Sequence, residues 1–173
     1  MLPSESAATV VPRPLTPRPP TPDLPGSLEA RHGKPPAGGR NAIRYTIVPK
    51  DLAGHLFAVS VTVDTPAPDG QMFLLPAWIP GSYMIREFAR NIVTISASTT
   101  GGKDGKSRPV TLEKMDKHSW MAGACSGPLT LRYEVYAWDL SVRAAHLDQT
   151  HAFFNGTSVF LRVEDQEHLP HQV

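Results

Sequence analysis

The chain has 173 residues, 40% of them hydrophobic, and its formal net charge at pH 7 is +1. This length predicts one folded domain with a tail, or two very small domains. A charge so close to neutral offers no basic surface for nucleic acid or for an anionic membrane, so we expect neither as a partner.

Cysteine content and hydrophobic runs narrow the class of protein further. The single cysteine, Cys125, excludes an intrachain disulfide, which fits a reducing compartment. No run approaches the roughly 18 consecutive apolar residues of a membrane span. The amino terminus also lacks the basic start and apolar run of a secretion signal, so we expect a cytoplasmic location.

Residues 1–40 differ in composition from the rest of the chain. Ten of the eighteen prolines fall in this segment. Proline fixes φ and removes a backbone donor, so the segment predicts a disordered or polyproline tail. A misassigned start of the chain is the alternative interpretation of these residues.

From residue 41 onward, hydrophobic residues recur with a period of two, which indicates strands with one buried face. The clearest alternation covers Phe57–Val63 and Leu129–Val135. Six further strands are predicted at Arg44–Val48, Met72–Ala77, Ile92–Ala97, Val110–Lys114, His118–Ala122 and Ser158–Val163.

Turn residues separate these short strands, a pattern typical of an antiparallel sandwich or barrel. We therefore expect a mostly β fold, with an antiparallel β-sandwich-like domain over residues 41–173. One helical turn is predicted at Tyr83–Ala89, with Ser82 as its cap.

Histidine spacing gives no support for a metal site in this chain. The H-E-x-x-H pattern of thermolysin-type zinc sites is absent. Glu167, His168 and His171 have the wrong order and spacing for it. His146 and His151 are five apart, which places them on different faces of a strand or helix. We therefore expect no metal ligand and no catalytic residue here, and we interpret His146 and His151 as separate surface or loop histidines.

Two segments are dense in residues that bind ligands. The first, Leu74–Asn91, contains Arg86 and Arg90, whose spacing lets a helical turn present both to one carboxylate. An ordinary core corner with two solvated arginines is the alternative.

The second dense segment runs from Tyr136 to Arg143, and it is followed by the stretch Phe153–Ser158. Asp139 and Arg143 have the spacing of a local ion pair. Further along, Asn155-Gly156 predicts a two-residue hairpin turn.

These segments resemble the amino-terminal domain of the glycyl aminopeptidase family. The resemblance is carried by L-P-A-W-I-P-G-S-Y-M-I-R-E-F-A-R-N at Leu75–Asn91. Three further blocks match in the same order, at Lys114–Trp120, Tyr133–Arg143 and His151–Phe160.

The resemblance implies that the parent protein is a zinc metalloaminopeptidase that removes amino-terminal glycine or alanine. Zinc then belongs to a separate catalytic domain, so we expect this chain to be a non-catalytic fragment, inactive alone. Its implied partners are that catalytic domain and the amino terminus of a peptide substrate. The candidate substrate-cleft residues are Tyr83, Arg86, Arg90, Trp138, Asp139, Arg143 and Asn155.

Two other classes of function remain open from the sequence. The domain is alternatively a free-standing β-sandwich that binds peptide or carbohydrate through its aromatic residues. The proline-rich segment alternatively recruits a partner with an aromatic groove.

Overall fold

The computed structural model describes residues 42–173, so the predicted proline-rich tail lies outside the described residues. The described part is mostly β, as the alternation predicts. Its strands are β1 Ile43–Asp51, β2 Leu56–Val63, β3 Gln71–Leu74, β4 Ile92–Thr99, β5 Arg108–Val110, β6 Leu112–Lys114, β7 Ser119–Ala122, β8 Leu129–Tyr136, β9 Ala145–Leu147, β10 Ala152–Phe154, β11 Arg162–Val163 and β12 His171–Gln172.

Twelve strands form three sheets among the described residues. The largest has six strands in the order β12-β1-β2-β8-β4-β5. A four-stranded sheet has the order β11-β3-β7-β6, and β9 and β10 form a separate hairpin. The pairs are antiparallel except for β1 and β12, which run parallel.

The two larger sheets share one hydrophobic core. Alternate residues of β2 and β8 are buried, as their period of two predicts. These inward residues pack with Phe73 of β3 and Trp120 of β7 in one continuous cluster. Such a shared core between sheets is the basis of a β-sandwich. Within residues 42–173, no helix is long and apolar enough to cross a membrane.

The predicted strand Met72–Ala77 ends early, at Leu74. Two other strand predictions differ more from the structure. The predicted strand Val110–Lys114 divides into β5 and β6, which belong to different sheets. Thr111 lies between them, and its carbonyl accepts a 2.8 Å hydrogen bond from the backbone N–H of Gly123. The chain therefore changes sheets at this residue.

The predicted strand Ser158–Val163 is also largely irregular, with only β11 at its end. Two buried tyrosine hydroxyls take the place of a neighbouring strand. Tyr45 donates to the carbonyl of Leu161 at 2.8 Å, and Tyr133 donates to that of Val159 at 2.7 Å. Because these hydroxyls satisfy buried carbonyls, the segment needs no strand ladder there.

The helical turn predicted at Tyr83–Ala89 is not formed. The backbone N–H of Arg86 donates a 2.7 Å hydrogen bond to the carbonyl of Ala77, nine residues earlier. This long-range bond holds the segment in a loop conformation. A short 3-10 helix follows at Phe88–Asn91, and its N-cap, Glu87, makes no side-chain cap hydrogen bond. A second 3-10 helix covers Gly156–Ser158.

Candidate functional site

The first loop of the candidate site, residues 82–91, is anchored at its base. The indole N–H of Trp78 donates to the carbonyl of Ser82 at 2.8 Å. Ser82 is buried, and its hydroxyl contacts the backbone of Met84 instead of capping a helix. This anchoring leaves three large side chains turned toward solvent, those of Tyr83, Met84 and Ile85.

The second loop, residues 138–143, is held by its own backbone. The N–H of Asp139 donates to the carbonyl of Ala145 at 3.1 Å, and the Asp139 carboxylate accepts a 2.8 Å bond from the N–H of Ser141. Leu140 and Val142 are left exposed, at 69% and 79% of their surface. This loop therefore also presents apolar side chains to solvent.

The two loops meet at a cavity of about 310 Å³. Arg86 and Arg90 line it from the first loop, and Asp139 lines it from the second. Glu87 also lines the cavity, but its carboxylate pairs with the ammonium of Lys117 at 2.8 Å. Hydrogen bonding to that ammonium lowers the pKa of Glu87, so this carboxylate is ionised at neutral pH.

Three of the seven candidate residues thus converge on this cavity, although no helix brings the two arginines together. Tyr83 is fully exposed beside it, and Trp138 and Arg143 do not line it. Among the described residues, no ion pair joins Asp139 to Arg143; the Asp139 carboxylate binds the Ser141 N–H instead.

Asn155 lies in a different place. It borders another cavity, near Phe160 and His171, and its side-chain oxygen accepts from the N–H of Thr157 at 3.1 Å. It is therefore the N-cap of a 3-10 helix. The prediction of a two-residue hairpin at Asn155-Gly156 is wrong, because Gly156–Ser158 forms a 3-10 helix and β10 pairs with the preceding strand, β9, in a two-stranded sheet.

His146 and His151 lie close together next to the second loop, although their spacing in the sequence predicts that they are apart. His146 is 2% exposed, and its ring stacks on those of Trp138 and His151. The Asp148 carboxylate lies between the two histidines, 3.1 Å from Nε2 of His146 and 3.4 Å from Nδ1 of His151. The interpretation of these residues as separate surface or loop histidines is therefore wrong for His146, which is buried in β9; His151 is an exposed loop residue, but its ring contacts that of His146.

A third histidine, His55, also stacks on the ring of Trp138. The two ring centroids are 3.8 Å apart, and Nδ1 of His55 lies 2.7 Å from the carbonyl of Leu147. His55 adopts a positive φ of 57°, uncommon for a residue other than glycine. This backbone turn between β1 and β2 places its ring against Trp138.

The Asp148 carboxylate is strongly stabilised as an anion. A hydrogen bond from the Thr150 hydroxyl, then the contact with His146 and the N–H groups of His151 and Thr150, hold its pKa well below its usual range. The pattern H-x-D-x-x-H in the printed sequence is the signal that could have revealed this cluster. It was missed because strand and helix periodicities do not apply across a tight hairpin.

Residues 44–173 match the family model described as the peptidase M61 N-terminal domain. The chain belongs to this family. A solved structure described as an aminopeptidase N family protein from Idiomarina loihiensis is also similar, with 46% identity and a TM-score of 0.68. That similarity covers 75% of this chain but only 21% of the Idiomarina protein, so this M61 N-terminal domain spans about a fifth of that relative. No curated protein matches the chain.

Proposed function

We propose that this M61 N-terminal domain is the non-catalytic domain of a zinc metalloaminopeptidase that removes amino-terminal glycine or alanine. In this proposal the two loops, residues 82–91 and 138–143, pack on the catalytic domain and shape its substrate cleft. The main support for this proposal is that the two loops meet at one cavity. Both loops expose apolar side chains, and both border the cavity that is lined by Arg86, Arg90 and Asp139.

Exposed apolar side chains support the docking role of these loops. Met84 and Ile85 are 63% and 70% exposed on the first loop, and Leu140 is 69% exposed on the second. Clustered exposure of this kind marks a surface that another protein surface covers. The 46% identical relative is a much longer chain, so a neighbouring domain is the occupant that we propose.

Charge supports the same assignment. Arg86 and Arg90 line the cavity with two carboxylates, those of Asp139 and Glu87, and the Glu87 carboxylate also pairs with Lys117. Two guanidinium groups at one cavity suit a carboxylate from the catalytic domain, because arginine binds carboxylates bidentately. Apolar loops around a charged centre give such an interface both affinity and orientation.

In this proposal a separate domain carries out catalysis. The H-E-x-x-H pair is absent from this sequence, so the residues present do not fit the zinc site of a thermolysin-type peptidase. We therefore derive no hydrolytic step from this chain.

A chimera tests the proposal. Residues 44–173 replace the matched segment of the Idiomarina loihiensis protein, and hydrolysis of glycyl and alanyl p-nitroanilides is measured for the chimera and for this chain alone. We expect activity from the chimera and none from the chain. The double variant Met84→Asp/Leu140→Asp should lower kcat/KM of the chimera by about tenfold or more, because buried carboxylates oppose docking.

Val93→Asp is the matched control, since Val93 is 58% exposed on β4, outside both loops. Its kcat/KM should equal that of the unmodified chimera. Hydrolysis by the isolated chain, or equal activity of the double variant and the control, would contradict the proposal.

A further inference from the structure

The hairpin of β9 and β10 gathers three side chains that commonly bind metals. One ligand atom from each of His146, Asp148 and His151 lies within 4.8 Å of the other two. Among the described residues this is the only group of three or more histidine, cysteine or acidic side chains so arranged. It lies outside the cavity that Arg86, Arg90 and Asp139 line.

The separations within the cluster suit a tetrahedral ion. Zinc to nitrogen or oxygen distances of about 2.0–2.1 Å place two neighbouring ligand atoms about 3.3 Å apart. Oδ2 of Asp148 lies 3.1 Å from Nε2 of His146, and Oδ1 lies 3.4 Å from Nδ1 of His151. Each imidazole nitrogen is therefore about one ligand-to-ligand distance from an Asp148 oxygen, and an ion would replace the 2.8 Å contact of Nδ1 of His151 with the Thr150 hydroxyl.

Nε2 of the buried His146 faces the Asp148 carboxylate. Nδ1 of His146 is buried and makes no hydrogen bond with the described residues. Without an ion, Nε2 donates its proton to Oδ2 of Asp148, 3.1 Å away. A cation at the carboxylate favours the tautomer with its proton on Nδ1, which turns the Nε2 lone pair toward the ion.

The carboxylate is already held in position. Oδ1 of Asp148 accepts hydrogen bonds from the backbone N–H of Thr150 at 2.6 Å and of His151 at 2.9 Å. Backbone donors of this kind orient a ligating carboxylate and lower the cost of ordering it. Solvent reaches the cluster through His151, whose side chain is 54% exposed.

We propose that His146, Asp148 and His151 bind one divalent transition-metal ion of the zinc type. Two imidazoles and one carboxylate suit zinc or cobalt, whereas magnesium and calcium require oxygen ligands. The site departs from our expectation that the chain has no metal ligand. Its ion stabilises the hairpin under the ring of Trp138, which lies 4.7 Å from that of His146.

Titration of the full 173-residue chain with zinc chloride tests the proposal by calorimetry, with calcium chloride as a second titrant. We expect one zinc per chain, and no binding of calcium at the same concentrations. His151→Gln should weaken zinc binding by about tenfold or more while far-ultraviolet circular dichroism stays unchanged, because this ligand lies at the surface.

His168→Gln/His171→Gln is the matched control, because these histidines lie in one short segment outside the cluster. This variant should bind zinc as the unmodified chain does. Cobalt chloride gives an independent readout: it should quench tryptophan fluorescence in the unmodified chain, and much less in Trp138→Phe. Absence of zinc binding, equal affinity of His151→Gln, or equal weakening in the control would overturn the proposal.

Discussion

At the scale of single residues, two tyrosine hydroxyls connect the six-stranded sheet to the irregular segment at residues 158–161. Tyr133 donates to the carbonyl of Val159 and accepts a 3.2 Å bond from the N–H of Leu161. Tyr45 donates to the carbonyl of Leu161. Both tyrosines are buried, so each hydroxyl satisfies backbone groups that water does not reach.

Removal of the Tyr133 hydroxyl should destabilise the domain. Tyr133→Phe leaves the Val159 carbonyl and the Leu161 N–H without this partner, and unsatisfied buried groups cost about 1–3 kcal/mol. Urea unfolding measures this loss. Tyr83→Phe, at a fully exposed position, should change the free energy of unfolding by less than about 0.5 kcal/mol. An equal effect of the two substitutions would contradict the assignment.

Tyr45 should make the domain less stable in alkali. Burial raises the pKa of Tyr45 from 10.0 to about 12. A raised pKa means that the unfolded chain ionises first, so stability is complete below pH 10 and falls as pH rises from 10 toward 12. The loss per group is at most about 1.4 kcal/mol per pH unit.

Unfolding by urea between pH 9 and pH 11.5 measures this dependence. Tyr45→Phe should unfold with a shallower loss of stability above pH 10 than the unmodified chain, although it is less stable at neutral pH. Parallel curves for the two proteins would show that Tyr45 ionises equally in both states.

The sequence predicts residues well where burial alone decides their position. Phe57 and Val61 were assigned to a buried face from alternation, and both are buried. His146 and Asp148 could not be placed in the same way. Their proximity depends on a turn whose shape is set by hydrogen bonds to the Asp148 carboxylate, and no periodicity reports such a turn.

At the scale of elements, the end of β4 crosses the turn before β8 at very close range. A Cβ on Gly101 would lie 1.5 Å from the carbonyl oxygen of Ser126, and Gly127 has a φ of +81°. Only glycine permits two backbones to approach so closely. This contact holds together the turns at one end of the six-stranded sheet.

Gly101→Ala should therefore be strongly destabilising, by about 3 kcal/mol or more, since the clash is with backbone and the two turns must move apart. Gly105→Ala is a suitable comparison, because Gly105 also lies in this connection but a Cβ there meets nothing within 4 Å. Its positive φ should cost only about 1–2 kcal/mol. Thermal unfolding that ranks the two variants equally would contradict this account of the crossing.

Element boundaries were predictable for the long strands and not for the short ones. β2 and β8 have enough alternating residues to define a face, and each lies within a residue of its predicted bounds. β5 and β6 have three residues each, too few for a period to show that they belong to different sheets. The helical turn predicted at Tyr83–Ala89 is wrong because the backbone N–H of Arg86 donates to the distant carbonyl of Ala77, and local helix propensity does not include such a contact.

At the scale of the whole molecule, the exposed apolar side chains of the two loops should promote self-association of the isolated chain. Sedimentation of the chain at high concentration should show species larger than a monomer. Met84→Asp/Leu140→Asp should sediment as a monomer, whereas Val93→Asp should associate like the unmodified chain. A clean monomer for the unmodified chain would count against an uncovered docking surface.

We propose that residues 82–91 and 138–143 face a catalytic domain, and cysteine labelling measures whether they are covered there. Ile85→Cys, Leu140→Cys and the control Val93→Cys are each made in a Cys125→Ser background. A thiol reagent is then applied to the isolated chain and to the chimera with the Idiomarina loihiensis protein.

Labelling at positions 85 and 140 should be about tenfold or more slower in the chimera, because a covered thiol reacts only when the interface opens. Labelling at position 93 should be equally fast in both proteins. Equally fast labelling at all three positions in an active chimera would contradict the claim.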